Sequence, residues 1–277
     1  MPLPIIDTRP FFRPLAAENL SLLRSLKPDD WLRPTVAGSW RVREVVAHLA
    51  DTALRRVSLQ RDGWQLPGAA AAIAANGLVP FINDLNARWI AASSPLSPRV
   101  LIELYESASS ALAAFIETLS LTDPAFFAVS WAGHSESPQW LDIGREFTEV
   151  WHHGAQIRDA VGAGPFSDPR WLHAVLEIAM HALPYAYRDV DARPNQSFVI
   201  NITGPADETW TMTRRKEAWD IDEGRVAAPA ATATMTDETA WRLLFNALPP
   251  AKARSLVRIE GDQRLVQPLL ATRSVIV

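Results

Sequence analysis

The sequence contains no cysteine among its 277 residues. Disulfide bridges, zinc ribbons, iron–sulfur clusters and a protein thiol nucleophile are therefore excluded. Glycine is scarce, with 12 residues, and neither a GxGxxG nor a Walker motif occurs, so a glycine-rich phosphate loop is not expected. The GxSxG motif of serine hydrolases is also missing.

An excess of basic charge is missing as well. Lys and Arg number 27 against 31 Asp and Glu, for a net charge of −4, so we expect no nucleic-acid partner. The longest charge-free stretch, residues 63–83, contains Pro67 and Pro80 and makes a poor membrane span. The start has no basic stretch followed by an apolar run. We therefore expect a soluble cytoplasmic protein that does not bind membranes.

What is present is apolar content, 48% of the chain with 11 tryptophans, which is typical of a globular core. In the first half the apolar residues recur with helical spacing. Helices are predicted over residues 15–26, 40–61 (capped by Ser39), 80–92, 98–119 and 138–162. Helices of this length joined by proline-rich turns indicate an all-α antiparallel bundle.

In the second half, the spacing of apolar residues changes from helical to alternating. Strands are predicted over residues 197–203, 209–213, 231–235 and 255–259, and helices over 171–183 and 237–248. Runs of strands after runs of helices predict a separate α+β domain. A cluster of helix breakers at residues 162–165 places the boundary, which gives a helical domain at 1–163 and an α+β domain at 164–277.

Histidine and glutamate recur at the spacing that puts two side chains on one helix face. The pairs are Glu44/His48, Glu149/His153 and Glu177/His181, with Glu149/His152 as an alternative. Such spacing is equally compatible with ordinary surface contacts. At about 100° per residue, His48 lies roughly 130° from the centre of its helix's apolar stripe, and Glu149 and His153 roughly 110–130° from theirs. These residues are therefore expected at stripe edges, in a cleft between helices or simply exposed.

Two segments carry a resemblance to a known family. Residues 35–51, TVAGSWRVREVVAHLAD, resemble the first metal-ligand segment of the DinB-like superfamily, and more closely that of the mycothiol-dependent maleylpyruvate isomerase family. Residues 146–162, EFTEVWHHGAQIRDAVG, are similar to the second segment, in which Glu is followed four residues later by His-Gly. The tail, at residues 234–250 and 258–270, resembles the family's sterol-carrier-like C-terminal domain. The resemblance implies a DinB-like four-helix bundle for the N-terminal domain.

This resemblance implies that His48, Glu149 and His153 are metal ligands and that His152 is only a neighbour. Two imidazoles and a carboxylate suit Zn²⁺, with Ni²⁺ or Fe²⁺ as alternatives. Three protein ligands leave open positions, where such an ion promotes deprotonation of a thiol or water. In the family this activates a small-molecule thiol. We therefore expect a metal-dependent isomerase or thiol S-transferase with a low-molecular-weight thiol cosubstrate and a small electrophilic substrate, working as a monomer or homodimer.

Five further positions are candidates for the site. The family usually has Asp three residues after the second ligand His, whereas this chain has Gln156, which can hydrogen-bond but cannot accept a proton. Arg214 and Arg242 are candidates for binding substrate carboxylates, although a solvated strand end also explains Arg214. Trp40 and Trp151 flank the ligand segments and are candidate pocket walls.

The alternative to an enzyme is a metal-binding carrier or sensor protein. If the C-terminal domain holds an apolar ligand, the chain is a metal-binding carrier or sensor rather than an enzyme. Lipid extracted with the purified protein would support this alternative. His134, in a loop, and His173 and His181, at a core edge, are not expected to carry chemistry.

Overall fold

The computed structural model describes residues 1 and 3–275. A helical region comes first, made of α1 (Phe12–Ser25), α2 (Val42–Arg56), α3 (Ala69–Asn76), α4 (Leu78–Ser93), α5 (Pro98–Ile116), α6 (Gln139–Val161), α7 (Pro169–Met180) and α8 (Leu183–Ala186). Strands β1 (Ser197–Thr203), β2 (Thr209–Arg214), β3 (Trp219–Glu223), β4 (Ala231–Thr236) and β5 (Arg258–Gly261) follow, with α9 (Asp237–Leu244), α10 (Pro250–Leu256) and α11 (Gln263–Ala271). The predicted fold class, a helical N-terminal region followed by an α+β part, is confirmed.

Helix α2 begins differently from the prediction. It starts at Val42, and its N-cap is Arg41 rather than Ser39. The Glu44 carboxylate accepts a hydrogen bond from the Arg41 backbone N–H at 2.8 Å, which satisfies a donor left open at the helix start. This explains the Glu44/His48 spacing, because Glu44 is a capping residue and not a metal ligand. Past its C-terminus the helix widens into a π-helical turn (Val57–Arg61).

The strands form a sheet in the order β3-β2-β1-β4-β5. The β1–β4 pair is parallel and the other neighbours are antiparallel. Phe198, Ile200 and Ile202, which alternate along β1, lie in the core, and Val199 between them is buried as well. The strand predicted over 255–259 is largely wrong, because α10 runs through Leu256 and β5 begins only at Arg258.

Two compact units divide the chain. One comprises Met1–Asp7, Leu121–His152 and Ser167–Val277, and the other Thr8–Ser120 and His153–Phe166. Helix α6 passes from the former to the latter within its own length. In the second unit α5 packs against α1 and α2. The units describe packing and not independent folding, so the domain division at 163/164 stays a proposal.

Aromatic side chains fill the core of the sheet-containing unit. The Tyr187 ring stacks on Phe198 with centroids 5.2 Å apart, and Trp219 meets the Tyr187 ring edge-on at 5.3 Å. The Tyr187 hydroxyl donates to the Leu265 carbonyl at 2.7 Å, so its polar atom is satisfied inside the core. Large rings thus occupy the volume beside the sheet.

The charge-free stretch at residues 63–83 forms α3 and the first turns of α4. No residue of α3 is buried. Within the described part of the chain, none of the helices has both the length and the apolar character needed to cross a membrane.

Candidate metal centre

Helices α2 and α6 bring three side chains together. One ligand-capable atom each from His48, Glu149 and His153 lies within 4.8 Å of the other two. Glu149 and His153 are one turn apart on α6, and His48 comes from α2. The two imidazole centroids are 4.8 Å apart, with the rings edge-on. Packing of α2 against the end of α6 therefore joins two segments that are about a hundred residues apart in the sequence.

Burial decides between the two expectations for these residues. His48 is 4% exposed and His153 is 7% exposed, while Glu149 is half-buried. Plain surface exposure is therefore wrong for the histidines. Their place at the edges of the apolar stripes puts them in enclosed positions with an acidic group beside them.

The donor set fits a divalent ion. Two imidazole nitrogens and one carboxylate oxygen are ligands that Zn²⁺ accepts at about 2.0–2.2 Å, which places neighbouring ligand atoms roughly 3–3.5 Å apart. Atoms that already lie within 4.8 Å of one another need only a small contraction to reach that spacing. One carboxylate also offsets part of the ion's charge in a buried setting.

Gln156 forms a hydrogen bond with the His153 imidazole. Its Oε1 accepts a hydrogen bond from His153 Nδ1 at 2.7 Å, and Gln156 is 3% exposed. Because an amide oxygen only accepts, Nδ1 carries the proton and the Nε2 lone pair is left as the metal-binding atom. Partners of this kind orient a ligand and select its tautomer.

The neighbouring His152 is turned to a different environment. Its Nδ1 lies 2.8 Å from the Thr148 carbonyl oxygen, and its ring stacks on Phe245 at 5.0 Å. The cluster thus contains His153 and not His152, which selects between the two spacings that the sequence left open.

The two candidate tryptophans differ in their distance from the cluster. The Trp40 ring lies 4.7 Å from the His48 ring and 6.2 Å from the His153 ring, centroid to centroid. Trp151 is buried and meets Trp241 edge-on at 5.8 Å. Trp40 therefore lies against the histidines, whereas Trp151 connects α6 to α9.

A glycine that the sequence analysis did not single out sets the position of α6. A Cβ on Gly154 would lie 2.6 Å from Asn19 Oδ1 and 2.7 Å from Phe166 Cζ. Asn19 is itself buried, and its amide donates to the Tyr105 hydroxyl at 3.3 Å, so it has little room to yield. Only glycine next to His153 lets α6 approach α1 this closely.

Arg145 is a second feature that sequence reasoning missed. It forms ion pairs with Asp142 at 2.8 Å and with Glu146 at 3.2 Å, both buried. Burial disfavours its charge, but the carboxylates of Asp142, Glu146 and Glu149 outweigh burial and raise the pKa of Arg145. A permanent cation thus lies one turn before Glu149, and the attraction between the two charges contributes to the raised pKa of Arg145.

The two candidate arginines occupy different places. Arg242, on α9, pairs with Glu238 at 2.6 Å and lies over the Trp241 ring at 4.7 Å. Since Trp241 contacts Trp151, these contacts connect Arg242 to α6. Arg214 ends β2 opposite Trp219 of β3.

The other histidine pairs do not form metal clusters among the described residues. Glu177 accepts a hydrogen bond from Trp210 Nε1 at 2.7 Å, whereas His181 packs against the Trp140 ring at 5.3 Å. Burial lowers the pKa of His181 to about 4, so this imidazole is neutral at physiological pH. His173 pairs with Glu208.

Comparison with known proteins decides the family. The family model of the mycothiol maleylpyruvate isomerase N-terminal domain matches residues 12–158, which is just over half of the chain and includes His48, Glu149 and His153. The chain belongs to the mycothiol-dependent maleylpyruvate isomerase family. The resemblance found in the sequence is thereby confirmed. A search of curated proteins found no match.

Two solved structures of mycothiol-dependent maleylpyruvate isomerase share the fold. A histidine-to-alanine mutant matches with a TM-score of 0.56 and 15% identity over 94% of this chain and 95% of that one. A second crystal structure matches with a TM-score of 0.53 and 14% identity over 87% of this chain and 88% of that one. At such identities the likeness establishes the fold alone.

Proposed function

We propose that this family member is a metal-dependent isomerase or thiol S-transferase that uses a low-molecular-weight thiol, such as mycothiol, on a small electrophilic substrate. The observation that carries the proposal is the His48, Glu149 and His153 cluster, whose ligand-capable atoms lie within 4.8 Å of one another. The absence of cysteine agrees with it, since the reacting sulfur must then come from a cosubstrate.

Each residue of the site has a distinct task in this proposal. His48, Glu149 and His153 hold the ion, for which Zn²⁺ is the preferred choice and Ni²⁺ or Fe²⁺ are alternatives. When bound, the ion supplies Lewis acidity that lowers the pKa of a thiol. The Trp40 ring, 4.7 Å from the His48 ring, shields that side of the site from water. Arg145 supplies a permanent positive charge one turn before Glu149.

Arg242 and Arg214 are proposed to bind substrate carboxylates through the planar guanidinium fork. Arg242 has the better support, because its contact with Trp241 and the Trp241–Trp151 pair connect it to α6. In the unbound protein Glu238 already pairs with its guanidinium, so a substrate carboxylate would compete with or join that pair.

Gln156 acts in this proposal by holding His153 in place, since an amide cannot relay a proton. Replacing Gln156 with Leu is expected to weaken Zn²⁺ binding about 10–100-fold, as is typical when the hydrogen-bond partner of a ligand histidine is lost. Chelator-competition titrations at one pH measure this. Gln156→Asp is the matched control, because a carboxylate oxygen also accepts a hydrogen bond from Nδ1, and this variant should retain affinity. Equal affinity of the Leu variant and the parent would refute the positioning role.

Cobalt substitution tests the thiol proposal directly. Co²⁺ has visible absorption that changes when sulfur enters its coordination shell. We expect added mycothiol to produce a sulfur-to-metal absorption band in the Co²⁺-loaded protein, whereas a hydroxyl analogue without sulfur should not. If Co²⁺ binds but no thiol alters the spectrum, thiol activation at this centre is wrong.

The carrier alternative receives less support. An apolar ligand would need space beside the sheet, and there the buried rings of Tyr187, Phe198 and Trp219 pack together. Lipid extraction from the purified protein remains its direct test.

A further inference from the structure

A polar cluster extends from the metal centre along α2. The Arg55 guanidinium pairs with Asp51 Oδ2 at 2.9 Å and donates to Asn86 Oδ1 at 2.6 Å. Asp51 is buried, whereas 29% of the Arg55 side chain is exposed. The cluster therefore has a buried carboxylate paired with a partly exposed arginine side chain.

The helix geometry aligns this cluster with His48. With about 100° and 1.5 Å per residue, Arg55 lies roughly 20° around the axis and about 10 Å along it from His48. Asp51, one turn after His48, lies between them. Trp89 Nε1 donates to the Ala47 carbonyl at 2.8 Å, which fixes α4 and its Asn86 beside this face of α2. A small molecule with one end at His48 would thus have its other end near Arg55.

The polar atoms of the cluster are incompletely satisfied. Arg55 Nε is enclosed by protein, yet it has no hydrogen-bond partner among the described residues. Burial raises the pKa of Asp51 despite the opposing effect of Arg55. A buried donor without a partner is costly, so the polar groups of the cluster are not fully satisfied by one another. The π-helical turn that follows (Val57–Arg61) is a distortion that recurs at functional sites.

The opposite charges of Asp51 and Arg55 favour a neutral ligand. A second anion at Arg55 would meet the Asp51 carboxylate, and a cation at Asp51 would meet the guanidinium. A neutral group that both donates and accepts has no such conflict. Hydroxyl groups can donate to the carboxylate and accept from the guanidinium and the Asn86 amide.

We propose that Asp51, Arg55 and Asn86 form a subsite that binds the hydroxyl-bearing part of the thiol cosubstrate. This rests on the proposed function, since it takes the sulfur end of the same molecule to lie at His48, Glu149 and His153. The subsite would distinguish a hydroxyl-rich thiol from a bare one without contacting the reacting atoms.

Calorimetric titration of the Zn²⁺-loaded full-length protein tests the subsite. The probes are mycothiol, which carries sugar hydroxyls, and N-acetylcysteine, which carries the thiol without them. We expect Arg55→Met to weaken mycothiol binding about tenfold or more, the usual scale for losing hydrogen bonds to a charged group, while N-acetylcysteine and Zn²⁺ bind as in the parent. Asn86→Leu provides a second, smaller loss and leaves the ion pair intact.

Arg88→Met is the matched control. Arg88 pairs with Asp84 four residues away at an exposed position on α4, and its loss should leave both thiols bound as in the parent. Unchanged mycothiol affinity in Arg55→Met and Asn86→Leu, or equal loss for the two thiols, overturns the subsite. A parent protein that binds neither Zn²⁺ nor N-acetylcysteine would instead contradict the proposed function, on which the subsite depends.

Discussion

Replacing His153 with alanine is expected to weaken Zn²⁺ binding by at least about 100-fold and to abolish thiol-dependent activity. Zinc sites with four protein ligands bind with about 10–16 kcal/mol, so one ligand is worth roughly 3 kcal/mol. The loss should be no smaller here, where the ring is buried, hydrogen-bonded to Gln156 and one of three donors. His48→Ala should behave alike. Metal analysis after metal-free purification and reconstitution measures both variants.

His152→Ala provides the matched control for this experiment. His152 is also buried on α6, but its ring stacks on Phe245 and its Nδ1 faces the Thr148 carbonyl. Its removal should lower stability and leave metal affinity unchanged. If His48→Ala and His153→Ala bind Zn²⁺ as tightly as the parent, or if His152→Ala is the variant that loses it, the assigned centre is wrong.

The Glu177 side chain is expected to make stability depend on pH. Glu177 is fully buried on α7, and Oε2 accepts a hydrogen bond from Trp210 Nε1. Burial raises the pKa of Glu177 to about 7, and the nearby Glu223 and Glu208 carboxylates add to the rise, although the Trp210 bond and His173 oppose it. The folded protein therefore favours the neutral acid, which has an unfolded-state pKa of 4.5.

The sign of the effect follows from linkage. Because the folded-state pKa lies above the unfolded one, the contribution of Glu177 is fully present below about pH 4.5 and is lost as the pH rises through about 7. That difference corresponds to about 3 kcal/mol. Glu177→Gln keeps an oxygen for Trp210 and has no proton to lose. We expect this variant to unfold at higher urea concentration than the parent at pH 8 and at a similar one at pH 4.5.

Glu103→Gln serves as the control for this comparison, because Glu103 is an exposed carboxylate on α5 paired with Arg99. Its pH profile should follow that of the parent. Parallel profiles for Glu177→Gln and the parent between pH 4.5 and 8 would show that Glu177 is ionised at no cost in the folded protein.

Local periodicity accounts for much of what was predictable. The helical spacing of apolar residues placed α5 and α6 to within about three residues, and alternation found β1, β2 and β4, because both signals reflect which face each residue presents. The strand β3 was missed because three of its five residues, WDIDE, are Asp or Glu, which are depleted in strands, although the sequence alternates. The strand predicted over 255–259 failed because α10 includes part of that stretch, where the local pattern is ambiguous.

The sequence by itself determined the family and the fold class. It also placed Glu149 on one helix face with either His152 or His153, since a spacing of three or four residues on one helix is local geometry. It left open whether His152 or His153 joins the cluster, and whether these groups are surface-exposed. Only the tertiary structure decided these points. The contact between α2 and α6 brings the His48 ring to the His153 ring, and the fold encloses both histidines. Contacts between residues a hundred positions apart depend on how whole helices pack, and a single helix pattern does not contain that information.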